Sequence, residues 1–525
     1  MNASPPNLSA VVFARVLREL ASVVGASNVL TTADRLREYA DPFTPQPSAR
    51  SFEASAVVLP ATVVEIREVL KLARAYRLAL WPVSGGRNFA YGGGAPRLRG
   101  SVVLDLKRMN RIIEVDETLA YALVEPGVTY FDLYAHLRER GVKLWVDPAA
   151  AGWGSIVGNT LERGFGYTPY GDHAAHQCGM EVMLANGELI RTGMGAIEIG
   201  RTWQLYKAGF GPSYDTIFMQ SNFGIVTKLG MWLMPRPDAY VIAHVKLPRE
   251  ADLEAAVETL RPLKLDETIR NHAVIEGAIR HAAGQSARRD WYGGKGPLPD
   301  SVVDQITARL DIGRWNVHFA IYGERGIVEA QLANAQRAFS RLPGARIELH
   351  RYASDAEPVG GAERNMAGIP SLSAFRMLDW VGGTGMHVDF SPICPFTGRD
   401  AMRQYSVAKA RLAEYGFDYY GGFTAGTRHL HHIVATIFNR DDAKETEAAA
   451  DLQRVLMSDA RSEGYGVYRT HLATMDFAAS QYDFNDGALL KMSETIKDAL
   501  DPDGILAPGK SGIWPRAWRG RRGSV

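Results

Sequence analysis

Two parts of the chain that lie far apart in sequence carry residues able to act together on an acidic hydroxyl group. Tyr468 and Arg469 are adjacent near the C-terminal end, and an arginine keeps its charge at physiological pH. Far upstream, residues 84–88 read Ser-Gly-Gly-Arg-Asn, and Tyr91 follows closely. Consecutive glycine N–H groups can form a nest for a phosphate group. We therefore infer a site where a nucleotide cofactor meets a phenol, which hydroxyl donors and a guanidinium would hold as the phenolate.

Each of these features also has an ordinary structural interpretation. The loop at 84–88 is neither a Walker A motif nor a Gly-x-Gly-x-x-Gly turn before a helix, so alone it fits a plain turn. A second glycine-rich stretch at 155–171 has a turn as its default interpretation. Arg469 alone fits a surface salt bridge, and a single tyrosine is more typical of a core than of a catalytic site. Only the joint occurrence of these residues supports the inference.

Histidines are the other residues with possible chemistry. His387 and Asp389 alternate along one predicted strand and therefore share a face. A carboxylate on an apolar strand is unusual, which indicates a paired or functional group. His429, His431 and His432 resemble a metal cluster, but no acid or thiol completes it at suitable spacing, so we predict no metal site.

Composition is that of an ordinary globular protein. The 525 residues suffice for two or three domains, and 46% of them are hydrophobic and 22% charged. A formal net charge of +1 predicts no nucleic-acid or membrane partner, and the basic run at 516–522 fits a solvated terminus. Two cysteines provide no disulfide framework, and no apolar run is long enough to cross a bilayer. Since the N-terminus lacks a secretory pattern, we expect a cytoplasmic protein.

The residues with possible chemistry must be positioned by a mixed frame of helices and strands. In the first part, Thr62 and Glu65 fit a capping box, and Asn186-Gly187 suits a type I′ hairpin turn. The elements predicted there are strands at 55–60, 79–83, 101–106 and 119–125, helices at 62–77 and 129–140, and a hairpin at 181–191.

Pro-Arg-Pro at 235–237 indicates a domain boundary. The elements predicted after it are strands at 240–247, 314–323, 385–391 and 431–438, helices at 250–262, 326–341, 399–415 and 444–463, and an irregular segment at 351–375. The turn-rich segment 500–514 is expected to pack back on the first unit. The predicted fold class is α+β, with one domain at 1–237, a second at 238–480 and a returning segment at 481–525.

Seven segments together resemble the vanillyl-alcohol oxidase family of FAD enzymes. They are residues 82–88 (Pro-Val-Ser-Gly-Gly-Arg-Asn), 91–94 (Tyr-Gly-Gly-Gly), 124–130, 164–173, 221–228, 468–472 and 507–515. The likeness runs from about residue 40 to residue 515. It implies an FAD-binding domain divided between the two ends of the chain, and an α+β cap domain over the flavin.

The resemblance also implies roles for individual residues. Tyr91, Tyr468 and Arg469 match the positions that bind the substrate phenolate, and Tyr167 matches a further tyrosine near that site. His387 matches the histidine that is bound covalently to the flavin in the oxidases. The other FAD-binding residues that it implies are Ser84, Gly85, Gly86, Arg87, Asn88, Ser155, Gly158, Asn159 and Lys510.

Both acids that are usual in this family are missing here. Ala150 stands where the oxidases carry an aspartate close to flavin N5, and Gly422 stands where the cresol dehydrogenase has an acid on the opposite pocket wall. Asp147 is displaced from the first position by three residues. Two hypotheses follow: either Asp389 supplies the displaced acid function, or no acid is needed and the two small residues enlarge the pocket.

The implied reaction is hydride transfer from the benzylic carbon of a para-substituted phenol to FAD, giving a para-quinone methide. The small residues favour 4-alkylphenols, 4-hydroxybenzylic alcohols or bulkier lignin-derived phenols. Oxygen is the expected acceptor, giving hydrogen peroxide, and the alternative is a dehydrogenase that passes electrons to a cytochrome. A hydroxyacid or sugar dehydrogenase and a flavoprotein that only senses phenols are alternatives of other classes. The resemblance favours a homodimer.

Overall fold

A computed structural model describes residues 3–41, 52–354, 356–358 and 360–523. The first sheet has four strands in the order β1-β2-β4-β3, and β2, β4 and β3 run parallel. Its strands are β1 (Val29–Leu30), β2 (Ala56–Val58), β3 (Leu80–Val83) and β4 (Val102–Asp105). All residues of β2 and β4 are buried, as is typical of parallel strands covered on both faces.

Six α-helices lie in the described residues of the first part of the chain. They are α1 (Ala10–Val24), α2 (Ala33–Arg37), α3 (Val63–Tyr76), α4 (Tyr130–Glu139), α5 (Ile156–Leu161) and α6 (His173–His176). The helices predicted at 62–77 and 129–140 are confirmed as α3 and α4. Thr62 caps α3 by accepting from the Glu65 backbone N–H, but the Glu65 carboxylate accepts from the backbone of Ala61, one residue earlier than in a capping box.

Seven further strands follow in the first part. They are β5 (Ile112–Asp116), β6 (Tyr121–Val124), β7 (Leu144–Trp145), β8 (Gln177–Met183), β9 (Leu189–Arg191), β10 (Ile225–Trp232) and β11 (Met234–Pro235). Five of them form an antiparallel sheet in the order β5-β6-β10-β8-β9, and β7 pairs with β11.

The predicted hairpin is present as β8 and β9, but the type I′ turn is wrong. A type I′ turn needs a positive φ at both central residues, and only Gly187 has one, at 88°. The Gly187 N–H instead donates to the Leu184 carbonyl, and the Leu184 N–H donates to Glu188. This is the three-residue loop in which glycine forms a bulge after an ordinary turn.

The rest of the chain builds an antiparallel sheet of eight strands in the order β15-β12-β14-β13-β17-β18-β16-β19. They are β12 (Ala239–Leu247), β13 (Ala273–Gly277), β14 (Trp315–Gly323), β15 (Arg346–Ala353), β16 (Gly385–Pro395), β17 (Tyr420–Ala425), β18 (His429–Asn439) and β19 (Val467–Arg469). The four strands predicted here are confirmed as β12, β14, β16 and β18. Strands β13, β15, β17 and β19 were not predicted from the sequence.

Nine helices complete the described chain. They are α7 (Asp252–Leu265), α8 (Ala278–Ala282), α9 (Asp300–Leu310), α10 (Arg325–Phe339), α11 (Gly361–Met366), α12 (Gly398–Glu414), α13 (Ala443–Ser462), α14 (Met475–Ser480) and α15 (Phe484–Leu500). The segment predicted as irregular contains the end of β15 and all of α11, and its residues 355 and 359 lie outside the described residues. No helix of the described chain is both long and apolar enough to cross a membrane.

The eight-stranded sheet has one apolar face covered by helices and one face that carries polar residues. Leu260, Leu332 and Leu456, from α7, α10 and α13, pack with Val388 and Phe390 of β16 in one core. Since side chains alternate along a strand, the intervening residues of each strand point to the opposite face.

The C-terminal segment returns to the first sheet, as expected. The Leu80 N–H donates to the Ile505 carbonyl at 2.7 Å, and the Ala507 N–H donates to the Leu80 carbonyl at 2.8 Å. The segment therefore extends the first sheet beyond β3. We retain domain boundaries after residues 237 and 480 as a proposal, since the last sheet begins at Ala239.

Candidate active site

A deep cleft is lined by the loop after β3, by the start of α5 and by the C-terminal segment. Nine residues predicted to bind a cofactor line it: Ser84, Gly85, Gly86, Arg87, Asn88, Ser155, Gly158, Asn159 and Lys510. Tyr91 and Arg469 lie at the same cleft. The structure thus brings both ends of the chain to one cavity of about 370 Å³.

Two glycines explain how the loops form this cleft. Gly86 has a φ of +67°, and a Cβ atom there would lie 3.3 Å from the Gly94 Cα atom. A Cβ atom on Gly158 would lie 2.3 Å from the Ser84 Oγ atom. The two glycine-rich stretches are therefore in contact, and side chains at these positions would push them apart.

Polar groups along the cleft are available to a ligand. Among the described residues, the Ser221 Oγ and Arg469 Nε atoms are buried without a hydrogen-bond partner. Lys510 forms an ion pair with Glu162, whose pKa is lowered because the nearby Lys510 and Arg469 charges outweigh its burial. A long cleft with a nest of backbone N–H groups, two unpartnered donors and a lysine suits a dinucleotide such as the expected FAD.

Tyr91, Tyr468 and Arg469 meet at one end of the cleft. β19 pairs with β16 so that Arg469 lies opposite Ser391, and the Tyr91 hydroxyl is 3.4 Å from the Ser391 hydroxyl. The Arg469 guanidinium carbon is 4.0 Å from the centre of the Tyr91 ring. Its Nη2 atom donates to Asn88 at 2.6 Å. We refer to Tyr91, Tyr468 and Arg469 as the clamp.

All three clamp residues can donate hydrogen bonds at neutral pH, because both tyrosines stay protonated and Arg469 stays charged. Burial raises the pKa of Tyr91 well above its ordinary value, and the Asp389 charge adds to the effect. Burial likewise raises the pKa of Tyr468. Burial acts to lower the pKa of Arg469, but Tyr91, Tyr468 and Glu162 raise it. At neutral pH the clamp therefore presents two neutral hydroxyl groups and one cation, which is an arrangement that stabilises a bound phenolate.

His387 and Asp389 lie on the polar face of β16, in the same row as Ser391. The His387 Nδ1 atom is 2.9 Å from the Asp389 Oδ1 atom. Neither residue lines the cleft, but Asp389 is near enough to raise the pKa of both clamp tyrosines. Two residues along a strand span about 6.6–6.8 Å, so Asp389 sits one such step from the Ser391 side of the clamp.

An aromatic wall adjoins the clamp. The Phe165 ring lies 4.9 Å from His431, 6.2 Å from Tyr167 and 6.3 Å from Tyr468, measured between ring centres. Burial raises the pKa of Tyr167 to about 12 and lowers that of His431 to about 3, so both are neutral at pH 7. The sequence analysis did not place Phe165 or His431 at this wall, although Phe165 lies in a glycine-rich stretch that it singled out.

The three neighbouring histidines do not converge. The His429 Nε2 atom is 3.0 Å from the His431 Nε2 atom, on the polar face of the sheet. His432 points to the opposite face, where its ring contacts Tyr419 and Gln404. Strand alternation therefore separates His432 from the other two.

Ala150 occupies the position of the first expected acid, and Asp147 is the nearest carboxylate to it in the sequence. Ala150 is half buried and follows Ala149, which bridges to Gly166. Asp147 is buried, and its two oxygens face His173 Nε2 at 2.9 Å and the Thr168 N–H at 2.7 Å. Both oxygens of Asp147 are thus engaged by the segment 168–173, which weighs against a role as the missing acid.

The surroundings of Gly422 weigh against the hypothesis that it enlarges the pocket. A Cβ atom on Gly422 would lie 2.5 Å from the Ile275 carbonyl oxygen and 3.2 Å from the Glu276 Cα atom. The backbone of β13 occupies that space, so the glycine allows two strands to pack rather than opening a cavity. Opposite Gly422 stands Glu276, which accepts from Arg280 at 3.1 Å and which the sequence analysis did not consider.

Comparisons with known proteins agree with this geometry. The family described as "FAD binding domain" matches residues 54–193, and "FAD linked oxidases, C-terminal domain" matches residues 314–511. The 4-cresol dehydrogenase [hydroxylating] flavoprotein subunit of Pseudomonas putida is 38% identical over 95% of this chain and 96% of that protein. The 1'-carboxy-chondrochloren decarboxylase of Chondromyces crocatus is 30% identical over 96% of this chain and 98% of that protein.

Two solved structures are similar over nearly the full length. The 4-ethylphenol oxidase from Gulosibacter chungangensis, solved as an isoeugenol complex, superposes with a TM-score of 0.95 at 37% identity, covering 98% of this chain and 100% of that chain. A p-cresol methylhydroxylase with substrate bound superposes with a TM-score of 0.93 at 36% identity, covering 98% and 99%.

Proposed function

Because this chain belongs to the vanillyl-alcohol oxidase family of FAD-dependent oxidoreductases, we propose that it oxidises para-substituted phenols at the benzylic carbon. The observation that carries the proposal is the clamp. The Arg469 guanidinium lies beside two tyrosine hydroxyls that stay protonated, and its buried Nε atom has no partner among the described residues. A phenolate oxygen would accept from these groups and would satisfy the buried donor.

The clamp prepares the substrate for oxidation. Tyr91, Tyr468 and Arg469 hold the phenolate form, and the negative charge donates electrons toward the para carbon. FAD, when bound, supplies the acceptor for a hydride from the benzylic carbon. Loss of hydride leaves a para-quinone methide of the substrate. It takes up water to give a benzylic alcohol, or it loses a proton to give an alkene, and a benzylic alcohol substrate gives an aldehyde.

Asp389 is our candidate for the missing acid-base group. It lies about one strand step from the Ser391 side of the clamp, which is close to the length of a para-substituted phenol from oxygen to benzylic carbon. His387 at 2.9 Å fixes the carboxylate. A base at this distance would activate water for addition to the quinone methide or would remove a proton from it. The competing hypothesis, in which no acid takes part, now depends on Ala150 alone.

The substrate class follows from Ala150. An alanine at this position leaves room beside the benzylic carbon, which supports 4-alkylphenols, 4-hydroxybenzylic alcohols or bulkier lignin-derived phenols. The relatives support the same class, since one is a 4-ethylphenol oxidase and another a 4-cresol dehydrogenase. A substrate panel tests this: turnover confined to small alcohols such as vanillyl alcohol would contradict it.

We further propose that His387 bears a covalent bond to the flavin. Its side chain is 10% exposed on the polar face of β16, and the family resemblance matches it to the linked histidine of the oxidases. Flavin absorbance that stays with acid-precipitated wild-type protein, and that is released from a His387→Ala variant, is the expected result.

Oxygen is the proposed electron acceptor, with hydrogen peroxide as the product. The P. putida relative favours a second candidate, a dehydrogenase that passes electrons to a cytochrome, because it is described as the flavoprotein subunit of a dehydrogenase. Oxygen consumption measured with an oxygen electrode distinguishes the two candidates.

We also propose the homodimer that the resemblance suggests, and gel filtration tests it.

The decisive experiment is anaerobic mixing of the holoenzyme with 4-ethylphenol and with a methoxylated analogue. Rapid loss of the flavin absorbance near the visible maximum supports oxidation of phenols. A shifted spectrum without bleaching would instead indicate a protein that only binds phenols. Bleaching by a hydroxyacid or a sugar but not by either phenol would place the enzyme with the other FAD-linked dehydrogenases.

A further inference from the structure

A row of histidines and acids crosses the polar face of the eight-stranded sheet, away from the clamp. Its members lie on β12, β13, β14 and β15 and on α8 and α11, and they are His244, Glu276, His281, His318, His350 and Glu363. In two places three of these side chains bring ligand atoms within 4.8 Å of one another. The chemistry proposed for the active site uses none of them.

The two groups differ in their distances. In the first, the Glu363 Oε1 atom is 2.6 Å from both His244 Nε2 and His350 Nδ1, which are ordinary hydrogen-bond lengths. In the second, the Glu276 Oε2 atom is 3.5 Å from His281 Nδ1 and 3.6 Å from His318 Nε2. Both of these distances are longer than a good hydrogen bond.

The longer distances match the edge of a metal polyhedron. When zinc binds nitrogen at about 2.0–2.1 Å and oxygen at about 2.0–2.2 Å, tetrahedral neighbours lie about 3.3–3.5 Å apart. The Glu276 oxygen therefore lies at about this spacing from both histidines, and the three ligand atoms are all within 4.8 Å of one another. The shorter distances of the first group are those of hydrogen bonds, so that group is satisfied without a metal.

The hydrogen bonds of the row decide which atom of His318 is available. His244 Nε2 is 2.6 Å from Glu363 Oε1, and His244 Nδ1 is 2.5 Å from His318 Nδ1. The Nδ1 atom of His318 is therefore engaged by His244. Its Nε2 atom is buried and has no hydrogen-bond partner among the described residues, so it is the atom available to an ion.

The His318 Nε2 and Glu276 Oε2 atoms face each other across 3.6 Å, which is longer than a good hydrogen bond. A cation in contact with both atoms would satisfy the buried nitrogen and the carboxylate together. Arg280 donates to the other oxygen of Glu276 at 3.1 Å and so orients the carboxylate.

We propose that Glu276, His281 and His318 bind a divalent transition metal of the zinc class, with the fourth position open to solvent. Two imidazoles and one carboxylate suit zinc rather than magnesium or calcium, which prefer oxygen ligands. The His281 side chain is 26% exposed, which gives an ion a route from solvent. The site joins α8 to β13 and β14. This proposal departs from the sequence prediction, which contained no metal site.

The test is zinc binding to the untagged holoenzyme. After dialysis against a chelator, titration calorimetry with zinc chloride is expected to show one saturable site per chain, and magnesium chloride is expected to show none. Mass spectrometry of bound metal should give one zinc per chain after gel filtration. Absence of saturable zinc binding overturns the proposal.

Variants locate the ion. His281→Gln is the main variant, because His281 is partly exposed and its replacement disturbs the packing least. His318→Gln is the second variant. Both should abolish the saturable site. His244→Gln removes the hydrogen-bond partner of His318 but none of the three proposed ligands, and it should weaken affinity by about ten- to a hundredfold. His350→Gln is the matched control from the same row and should bind zinc as the wild type does. Each variant should have the flavin spectrum of the wild type. After removal of metal with a chelator, each should also unfold at the wild-type temperature.

Two outcomes place the metal elsewhere and overturn the assignment. If His350→Gln loses zinc while His281→Gln retains it, the ion occupies the neighbouring histidine group. If both His281→Gln and His318→Gln retain it, the ion binds outside the row. Zinc should also raise the unfolding temperature of the wild type but not that of His281→Gln, which is a readout independent of catalysis.

Discussion

The guanidinium of Arg469 stacks on the ring of Tyr91, with 4.0 Å between the guanidinium carbon and the ring centre, although the two residues come from opposite ends of the chain. The contact holds the cation beside a tyrosine hydroxyl and leaves its Nε atom without a partner among the described residues. Arg469→Ala should lower kcat/KM for 4-ethylphenol by about a hundred- to a thousandfold, the usual effect of losing one donor to a developing or bound oxyanion. Arg469→Lys keeps the charge but not the planar stack, and it should recover only part of the loss.

The same contact predicts an optical signal. A phenol bound in the clamp should ionise at a lower pH than it does in water, because a cation and two hydroxyl donors favour the phenolate. Difference spectra of a non-oxidisable phenol should show the phenolate band in the wild type below the ordinary pKa of that phenol. The band should vanish in Arg469→Ala. A band of equal strength in this variant would show that Arg469 does not hold the phenolate.

Tyr91 and Tyr468 should each contribute as hydrogen-bond donors. A hydrogen bond to a charged group contributes about 1.5–3 kcal/mol, so Tyr91→Phe and Tyr468→Phe should each lower kcat/KM by about ten- to 150-fold. Tyr322→Phe is a suitable control, since its hydroxyl donates to the Met366 carbonyl away from the clamp. Steady-state kinetics on the three variants make the comparison. Equal losses in all three would indicate a general packing effect.

Asp389 should control the step at the benzylic carbon. If it is the acid-base group, Asp389→Asn should lower turnover by about a hundred- to ten-thousandfold and should change the ratio of alcohol to alkene products. Stopped-flow reduction of the flavin and product analysis by chromatography measure the two effects. Unchanged turnover and unchanged flavin reduction in Asp389→Ala would contradict the hypothesis that Asp389 supplies the missing acid function.

Gly422 and Ala150 should respond differently to added volume. Gly422→Ala forces a Cβ atom to within 2.5 Å of a carbonyl oxygen in β13, which should destabilise the fold by about 1–3 kcal/mol. Ala150→Val should leave the unfolding temperature near that of the wild type and should raise KM for bulky phenols more than for 4-cresol. Thermal unfolding and a substrate series on both variants separate packing from pocket volume.

Glu363 should give a pH-dependent contribution to stability. Burial acts to raise its pKa, but His244, Tyr352 and His350 lower it from 4.5 to about 2, so its contribution is present above pH 4.5 and is lost toward pH 2. His350, with its pKa raised by Glu348 and Glu363 against desolvation, contributes below its ordinary value of 6.5 and loses its contribution as the pH rises. Glu363→Gln should therefore cost most between about pH 4.5 and 6.5, by about 3 kcal/mol. Urea unfolding of both proteins from pH 3 to 8 measures the difference, and a cost that does not vary with pH would contradict the pairing.

The sequence was sufficient where the information is local. Alternating and periodic apolar residues predicted α3, α4, β12 and β14 to within a few residues, because burial follows the 3.6-residue and two-residue repeats. The strands that it missed lack this pattern. β17 begins Tyr-Gly-Gly, and the edge strand β15 alternates charged residues with apolar ones, as edge strands do.

By itself, the sequence determined the α+β class, the glycine-rich loops and the residue types of the clamp. Each of these depends only on residues that are close together in the chain. Only the tertiary structure decided which residues meet. The register of β16 against β19 places Ser391 and Tyr91 beside Arg469, that of β13 against β17 closes the space at Gly422, and strand pairing aligns His244 with His318. Such contacts depend on the register between distant strands, and a shift of one residue would turn each side chain to the other face of the sheet.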